Sequence, residues 1–300
     1  MKLLKSMRNR LMEGLQLKNE FDYSDKDFWD ISRLVTEHSG IELPESKKSL
    51  VYSRLVRRLR TLNIMRFSEY YELVKADLSK GNEQEFLTLI NAITTNVTHL
   101  FREHHHFDHL KEHLKLLSQT QDKINIWSCA ASIGAEPWSI AMVVHEFCKE
   151  NPSCKVRIIA SDIDSEVLKQ AQKGVYEVNP ENVKANPYLK KYLKLEKTED
   201  SNSPLHHSLY KISDEIRPYM EFRQINLLHN WQKEFHSKFD FVFCRNVIIY
   251  FSKQTQKQLF EKITEIMNVG AYLYLGHSES LLGITDDFEN QRQTTYKKVR

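Results

Sequence analysis

One turn and one acidic residue have the types and spacing to grip a nucleoside. The turn is Trp127-Ser128-Cys129-Ala130-Ala131-Ser132-Ile133-Gly134-Ala135-Glu136-Pro137, which follows an apolar run and precedes an amphipathic one. Small residues let a turn pass close to a ligand, Gly134 permits a tight backbone conformation, and Pro137 suits the first turn of a helix. Any tight strand-to-helix turn has this composition, so the stretch alone is a weak indication. The acid is Asp162, roughly 25 to 30 residues further on, where a carboxylate at a strand end can accept hydrogen bonds from both ribose hydroxyls. Its other possible role is to cap the next helix, and Asp164 or Ser165 is equally well placed for that.

The 8 glycines of the 300 residues include no G-x-G-x-x-G fingerprint and no G-x-x-x-x-G-K-[ST] loop. The Gly-rich routes to NAD, ATP and GTP are therefore absent. A ribose-binding carboxylate without a phosphate cradle favours a nucleoside that has no pyrophosphate, and S-adenosylmethionine fits. His105, His109 and His113 recur at i, i+4, i+8 beside Asp108 and Glu112, a spacing that could hold zinc. The segment also reads as a plain connecting helix, and no metal is expected.

These residues need elements to position them. From about residue 120, apolar runs at Ile124 to Cys129, Val156 to Ser161, Phe239 to Cys244 and Ala271 to Leu275 alternate with amphipathic stretches at Pro137 to Lys149, Ser165 to Lys173 and Lys253 to Met267. The alternation predicts a doubly wound α/β domain, a parallel sheet covered on both faces. Residues 175 to 224 interrupt it and read as an inserted antiparallel β-subdomain, with a polar loop at Glu196 to Ser203 and short strands near Leu209 to Ile212 and Tyr219 to Gln224. Residues 1 to about 90 carry apolar positions at helical spacing, such as Phe28, Ile31, Leu34 and Val35, and predict a separate helical domain. Within it, Lys47 to Arg60 holds six basic residues and no acid, and helical spacing puts Arg54, Arg57 and Arg58 on one face. That face is either simply solvated or a docking surface for an acidic partner.

The 43 Lys and Arg against 40 Asp and Glu leave a formal charge of +3, too little for a global attraction to nucleic acid or membrane. No apolar run approaches the ~20 residues that span a bilayer. The basic stretch Met1 to Arg10 is followed by Glu13, Lys18 and Glu20 where a signal peptide would be apolar, so secretion is not expected. Cys129, Cys148, Cys154 and Cys244 form no C-x-x-C pair and suit reduced thiols in a cytosol.

The stretches Thr94 to Glu103, Ile126 to Ala141, Ala160 to Asp164, Phe243 to Phe251 and Gly276 to Ser280 resemble, in order and spacing, the chemotaxis receptor methyltransferases of the CheR family. The resemblance runs from about residue 25 to the C-terminus. It implies a helical N-terminal domain (1 to 90), then a Rossmann-like methyltransferase domain (91 to 300) with a small inserted β-subdomain. It also implies methyl transfer from S-adenosylmethionine, leaving S-adenosylhomocysteine, to glutamates on the helical cytoplasmic region of chemoreceptors. Carried over position by position, the cofactor contacts are Asn96, Thr98, Arg102, Glu136, Asp162, Asn226, Leu227, Arg245 and Asn246, with Arg102 and Tyr250 nearest the methyl group. Arg54, Arg57 and Arg58 become the receptor-docking face. Four positions depart from the family pattern: Ala135 for a first glutamate, Leu100 for phenylalanine, Trp138 for tyrosine and Ile133 for threonine. Ala135 removes a charge beside Glu136.

A glutamate with an unperturbed pKa near ~4.3 is already ionised at neutral pH, so the expected reaction needs no general base. The expectation is therefore a monomeric, cytoplasmic protein-glutamate O-methyltransferase with chemoreceptors as partners, bound with or without a receptor tail peptide, and no nucleic acid or membrane insertion. Methylation of another carboxylate, or cofactor binding without catalysis, would use the same residues.

Overall fold

The computed structural model describes residues 20–94, 98–198 and 208–300. They belong to two compact units, one within Met1–Glu37 and Leu43–Thr94, the other comprising His38–Glu42 and Thr95–Arg300. No helix among the described residues is long and apolar enough to cross a membrane.

The first unit is helical: α1 (Asp25–Ser39), α2 (Lys48–Leu62), α3 (Phe67–Ser79) and α4 (Gln84–Ile93). Reciprocal hydrogen bonds between Ser24 and Asp27 close the start of α1, a capping box that satisfies amides no turn of helix can reach. Val51, Leu55, Val56 and Leu59 form the buried stripe of α2. The opposite side leaves Arg54 and Arg57 exposed. Arg58 departs from the expected docking face. Its guanidinium forks onto Glu85 of α4, with Nε 2.9 Å from Oε1, and Tyr70 donates to the same oxygen from 2.9 Å. The Glu85 carboxylate is largely buried, and a buried acid without its partner is costly, so the half-buried Arg58 is committed to Glu85. Arg60 and Lys48 are likewise paired, with Glu20 and Asp25.

The second unit is built on a seven-stranded sheet in the order β6–β2–β1–β7–β8–β10–β9. Its strands are β1 (Lys123–Cys129), β2 (Lys155–Asp162), β6 (Met220–Gln224), β7 (Phe239–Phe243), β8 (Met267–Tyr274), β9 (Phe288–Asn290) and β10 (Thr295–Lys298). The five strands from β6 to β8 are parallel, while β10 and β9 close the far edge antiparallel, so the sheet is mixed. Side chains alternate across it. Ile126, Ile158, Phe241 and Phe243 pack with α5 (His105–Leu117) and α6 (Ala135–Glu150) on one face. Trp127, Ile159, Val242 and Leu273 pack with α10 (Lys253–Ile266) on the other. Burial on both faces is why these strands read as continuous apolar runs.

Between α7 (Ser165–Lys173) and β6 lie β3 (Val175–Val178), α8 (Pro180–Ala185), α9 (Pro187–Tyr192), β4 (Leu193–Thr198) and β5 (Ser208–Ile212). The three strands form an antiparallel sheet in the order β3–β5–β4. Two expectations are corrected here. The strand near Tyr219 to Gln224 leaves the insertion and pairs parallel with β2, from Ile158 opposite Met220 to Asp162 opposite Gln224. The polar stretch beginning at Glu196 overlaps β4, because the chain there pairs antiparallel with β5, from Leu193 opposite Ile212 to Thr198 opposite Ser208. Residues 199–203 of that stretch lie outside the described residues.

Gly134 caps α6 at φ +89°. A Cβ there would lie 2.7 Å from Ala171 Cβ and 3.1 Å from the Tyr176 hydroxyl, which donates to Ile133 O. Gly283 has a similar φ of +72° but open space around it. Gly134→Ala should therefore lose about 1–3 kcal/mol more stability than Gly283→Ala, which bears the conformational strain alone. Parallel thermal melts decide this, and equal shifts would show that the turn has room for a side chain.

Candidate active site

Strand β1 has β2 on one side and β7 on the other, and the strand order reverses there, so the loops after these three strands meet at one edge of the sheet. The loop after β1 is bent by three left-handed residues, Ala130 (φ +57°), Ser132 (+49°) and Gly134 (+89°). Ala131 N donates to Ser161 O at the end of β2, and Ser132 N donates to Asp162 Oδ2 at 2.7 Å. The Ser132 hydroxyl is buried and has no partner among the described residues.

Asp162 is not the helix cap. Asp164 is, accepting from Glu166 N at 2.8 Å, while Asp162 Oδ1 takes Asp164 N at 3.1 Å. The backbone amide of Ile163 also bonds the Asp162 carboxylate, so three backbone donors already surround it. Burial pushes this carboxyl up to about 6, with the backbone amides pulling back. Ile225 N donates to Asp162 O, which brings Asn226 and Leu227 to the same edge. The Leu227 side chain is buried in the core, so only its backbone is available to a ligand.

Arg245, just beyond β7, has a side chain only 2% exposed. Its Nη1 lies 3.0 Å from Glu136 Oε2, and its Nη2 lies 3.3 Å from Glu103 Oε2 and 2.5 Å from Arg102 O. Glu136 also accepts from Ser128 Oγ at 2.7 Å. Burial raises Glu136, with Arg245 opposing it; burial also pushes Glu103 up, but Arg245 and His277 outweigh it and leave its carboxyl lowered. Ala135 is wholly buried and faces the core, which leaves Glu136 as the acid of the turn. Trp138 is accommodated because its indole N–H donates to Ala171 O at 2.8 Å.

The remaining residues singled out from sequence are unevenly placed. Arg102, about one-third exposed, and Tyr250, half-buried, belong to the loops before α5 and after β7. Asn246 follows Arg245 at φ +58°. Thr98 is half-buried, and Asn96 lies outside the described residues. Glu103, Ser128, Ser132 and Glu279 were missed as site residues. Glu103 and Glu279 sit in the very stretches that carry the family resemblance, so their position was the available signal.

His109 and His113 stack on each other at 3.8 Å, and His109 Nδ1 is 2.9 Å from the Tyr274 hydroxyl, apart from His105. The His and acid group that does converge among the described residues is Glu103, His105 and His106, with ligand atoms within 4.8 Å of one another. Burial drives His106 down to about 3, so it is neutral. Glu103 Oε2, 3.8 Å from His106 Nδ1, also faces Arg245 Nη2 at 3.3 Å.

Residues 96–297 match the family model described as CheR methyltransferase, SAM binding domain, and residues 26–94 match CheR methyltransferase, all-alpha domain. A chemotaxis protein methyltransferase of Salmonella typhimurium is 35% identical over 282 residues, covering 94% of this chain and 93% of that one. The chemotaxis protein methyltransferase of Escherichia coli is also 35% identical, covering 94% of each chain. Chemotaxis protein methyltransferase 2 of Pseudomonas aeruginosa is 39% identical over 92% of this chain and 94% of its own.

Removing Arg245 leaves the buried Glu136 carboxylate without a cation, while Glu103 keeps Arg102 and His277 beside it. Arg245→Met should lower the unfolding free energy by about 3–5 kcal/mol, and Glu136→Gln, which leaves Glu103 to balance the arginine, by less. Urea unfolding measures both, and an Arg245→Met chain as stable as the parent would refute the buried pairing.

Proposed function

Because the chain belongs to the CheR methyltransferase family and carries its S-adenosylmethionine-binding domain, we propose that it methylates glutamate side chains on the helical cytoplasmic region of chemoreceptors, forming γ-carboxylate methyl esters. The observation that carries this reading is the convergence of Asp162, Ser132, Glu136 and Arg245 at the edge of β1, β2 and β7. The donor set fits the cofactor: among the described residues the buried Ser132 hydroxyl lacks a partner, and the Asp162 carboxylate, with three backbone donors against about four lone-pair sites, can still accept from a ribose hydroxyl, while no phosphate cradle is present.

Bound there, S-adenosylmethionine supplies an electrophilic methyl group on a sulfonium. Asp162 would accept from the ribose hydroxyls, with Asn226 and the Leu227 backbone beside it. Thr98, Glu136, Arg245, Asn246 and Asn96 would complete the cofactor contacts. Arg102 would orient a carboxylate, and Tyr250 would donate a hydrogen bond at the transfer end. The chain needs no base, since its substrate is already an anion. Its task is to hold the glutamate oxygen in line at roughly 3–3.5 Å, which is worth on the order of 7–11 kcal/mol. Both partners lose charge in the transfer, so excluding water favours it.

Arg54 and Arg57 on α2 supply a basic face for acidic receptor helices. The free edges of β3 and β4 suit an extended receptor tail that would add as a further strand. We read the protein as a cytoplasmic monomer.

Incubation with methyl-labelled cofactor and receptor cytoplasmic fragments should give base-labile, volatile label; none above a boiled control would sink the assignment. Arg54→Glu with Arg57→Glu should weaken receptor methylation and leave cofactor affinity intact. Cofactor affinity should also fall in acid. The Asp162 carboxyl binds ribose when ionised, and binding lowers its pKa, so below about pH 6 the affinity should drop by up to about tenfold per pH unit. Titration calorimetry from pH 5 to 8 reads this slope, and Asp162→Asn should bind weakly and abolish it. A parent chain with pH-independent affinity would remove Asp162 from the site.

A further inference from the structure

The chain leaves the sheet after Cys244, whose N–H makes the last ladder bond, to Tyr274 O. From Arg245 to Tyr250 it runs beside no named strand; Tyr250 N closes on Val247 O, Tyr250 O accepts from Glu42 N at 2.8 Å, and three further amides go to one side chain. Asn246 N donates to Glu279 Oε2 at 2.8 Å, and Ile248 N and Ile249 N donate to Oε1 at 2.9 and 3.3 Å. Gly276 N, on the loop after β8, adds a fourth bond to Oε2 at 2.6 Å. The carbonyls of Ile248 and Phe251 receive the amide of Gln256, each at 2.9 Å. Glu279 is 5% exposed and Gln256 8% exposed. Gly276 has no room for a side chain, because a Cβ would strike Asn246 Nδ2 and come within 2.9 Å of Glu279 Oε2.

Among the described residues no Lys, Arg or His side chain pairs with Glu279. A buried carboxylate balanced only by amide dipoles is a costly way to stabilise a loop, but a rigid way to shape one. Its two oxygens divide the work: Oε2 ties Asn246 to the neighbouring loop, and Oε1 holds the turn that ends at Tyr250.

We propose that Glu279 is a positioning residue for methyl transfer, fixing Asn246 at the cofactor and Tyr250 at the transfer end without touching either reactant. This rests on the reading of the chain as an S-adenosylmethionine-dependent receptor methyltransferase. Glutamine at 279 must turn an NH₂ towards one pair of amide donors and so releases one end of the loop.

The experiment uses the full chain, with cofactor Kd from calorimetry and kcat from receptor-fragment methylation. Glu279→Gln should lower kcat by about 10²-fold, as displacement by about 1 Å does, and weaken cofactor binding at least tenfold. Gly276→Ala, which displaces Asn246 but keeps the carboxylate, should raise the Kd with a smaller loss of kcat. Wild-type Kd and kcat in Glu279→Gln, measured well below its melting temperature, would overturn the proposal whatever its loss of stability. Should that variant not fold, an unchanged Kd in Gly276→Ala overturns it instead. A parent chain that binds cofactor but methylates no receptor would defeat the substrate reading, while the Kd comparison still decides the role of Glu279.

Discussion

The candidate site depends on one buried cation. Arg245 lies between Glu136 and Glu103 and against the carbonyl of Arg102, and so ties together the loop after β1, the loop before α5 and the loop after β7. Unpaired, either acid in that position would be driven to its neutral form by burial, and the arginine would have no compensating charge. With both present, three segments far apart in sequence are held to one geometry.

Around that centre, the backbone of the turns is satisfied by carboxylates more than by strand pairing. Asp162 takes amides of the first turn and of the α7 approach, Asp164 caps α7, and Glu279 takes the amides beyond β7. Each keeps a loop in a shape that neighbouring strands cannot impose. Left-handed residues cluster in these same loops, at Ala130, Ser132, Gly134 and Asn246, where local strain is retained because the surrounding bonds leave no alternative.

Much of this was legible in the linear chain. Strand-helix alternation, the small-residue turn and an acid at the second strand end are local patterns, each set by the period of an element or the steric needs of a turn. The alternative roles of Asp162 could not be separated locally, since Asp164 and Ser165 stood equally close; the cap bond from Glu166 to Asp164 separates them. Similarly, Arg54, Arg57 and Arg58 are equivalent by helical spacing, and only the approach of Glu85 from α4 withdraws the last.

The sequence alone determined the helical unit, the parallel core of the sheet, the absence of a phosphate cradle and an acid at the end of the second strand, because these follow from residue type and short-range spacing. Tertiary structure decided which sheet receives Met220–Gln224, which acid faces Arg245, and which carboxylate shapes the loop after β7. Those outcomes depend on strand pairing and charge burial between residues tens to more than a hundred positions apart, and no local period records which distant partner will be desolvated beside which.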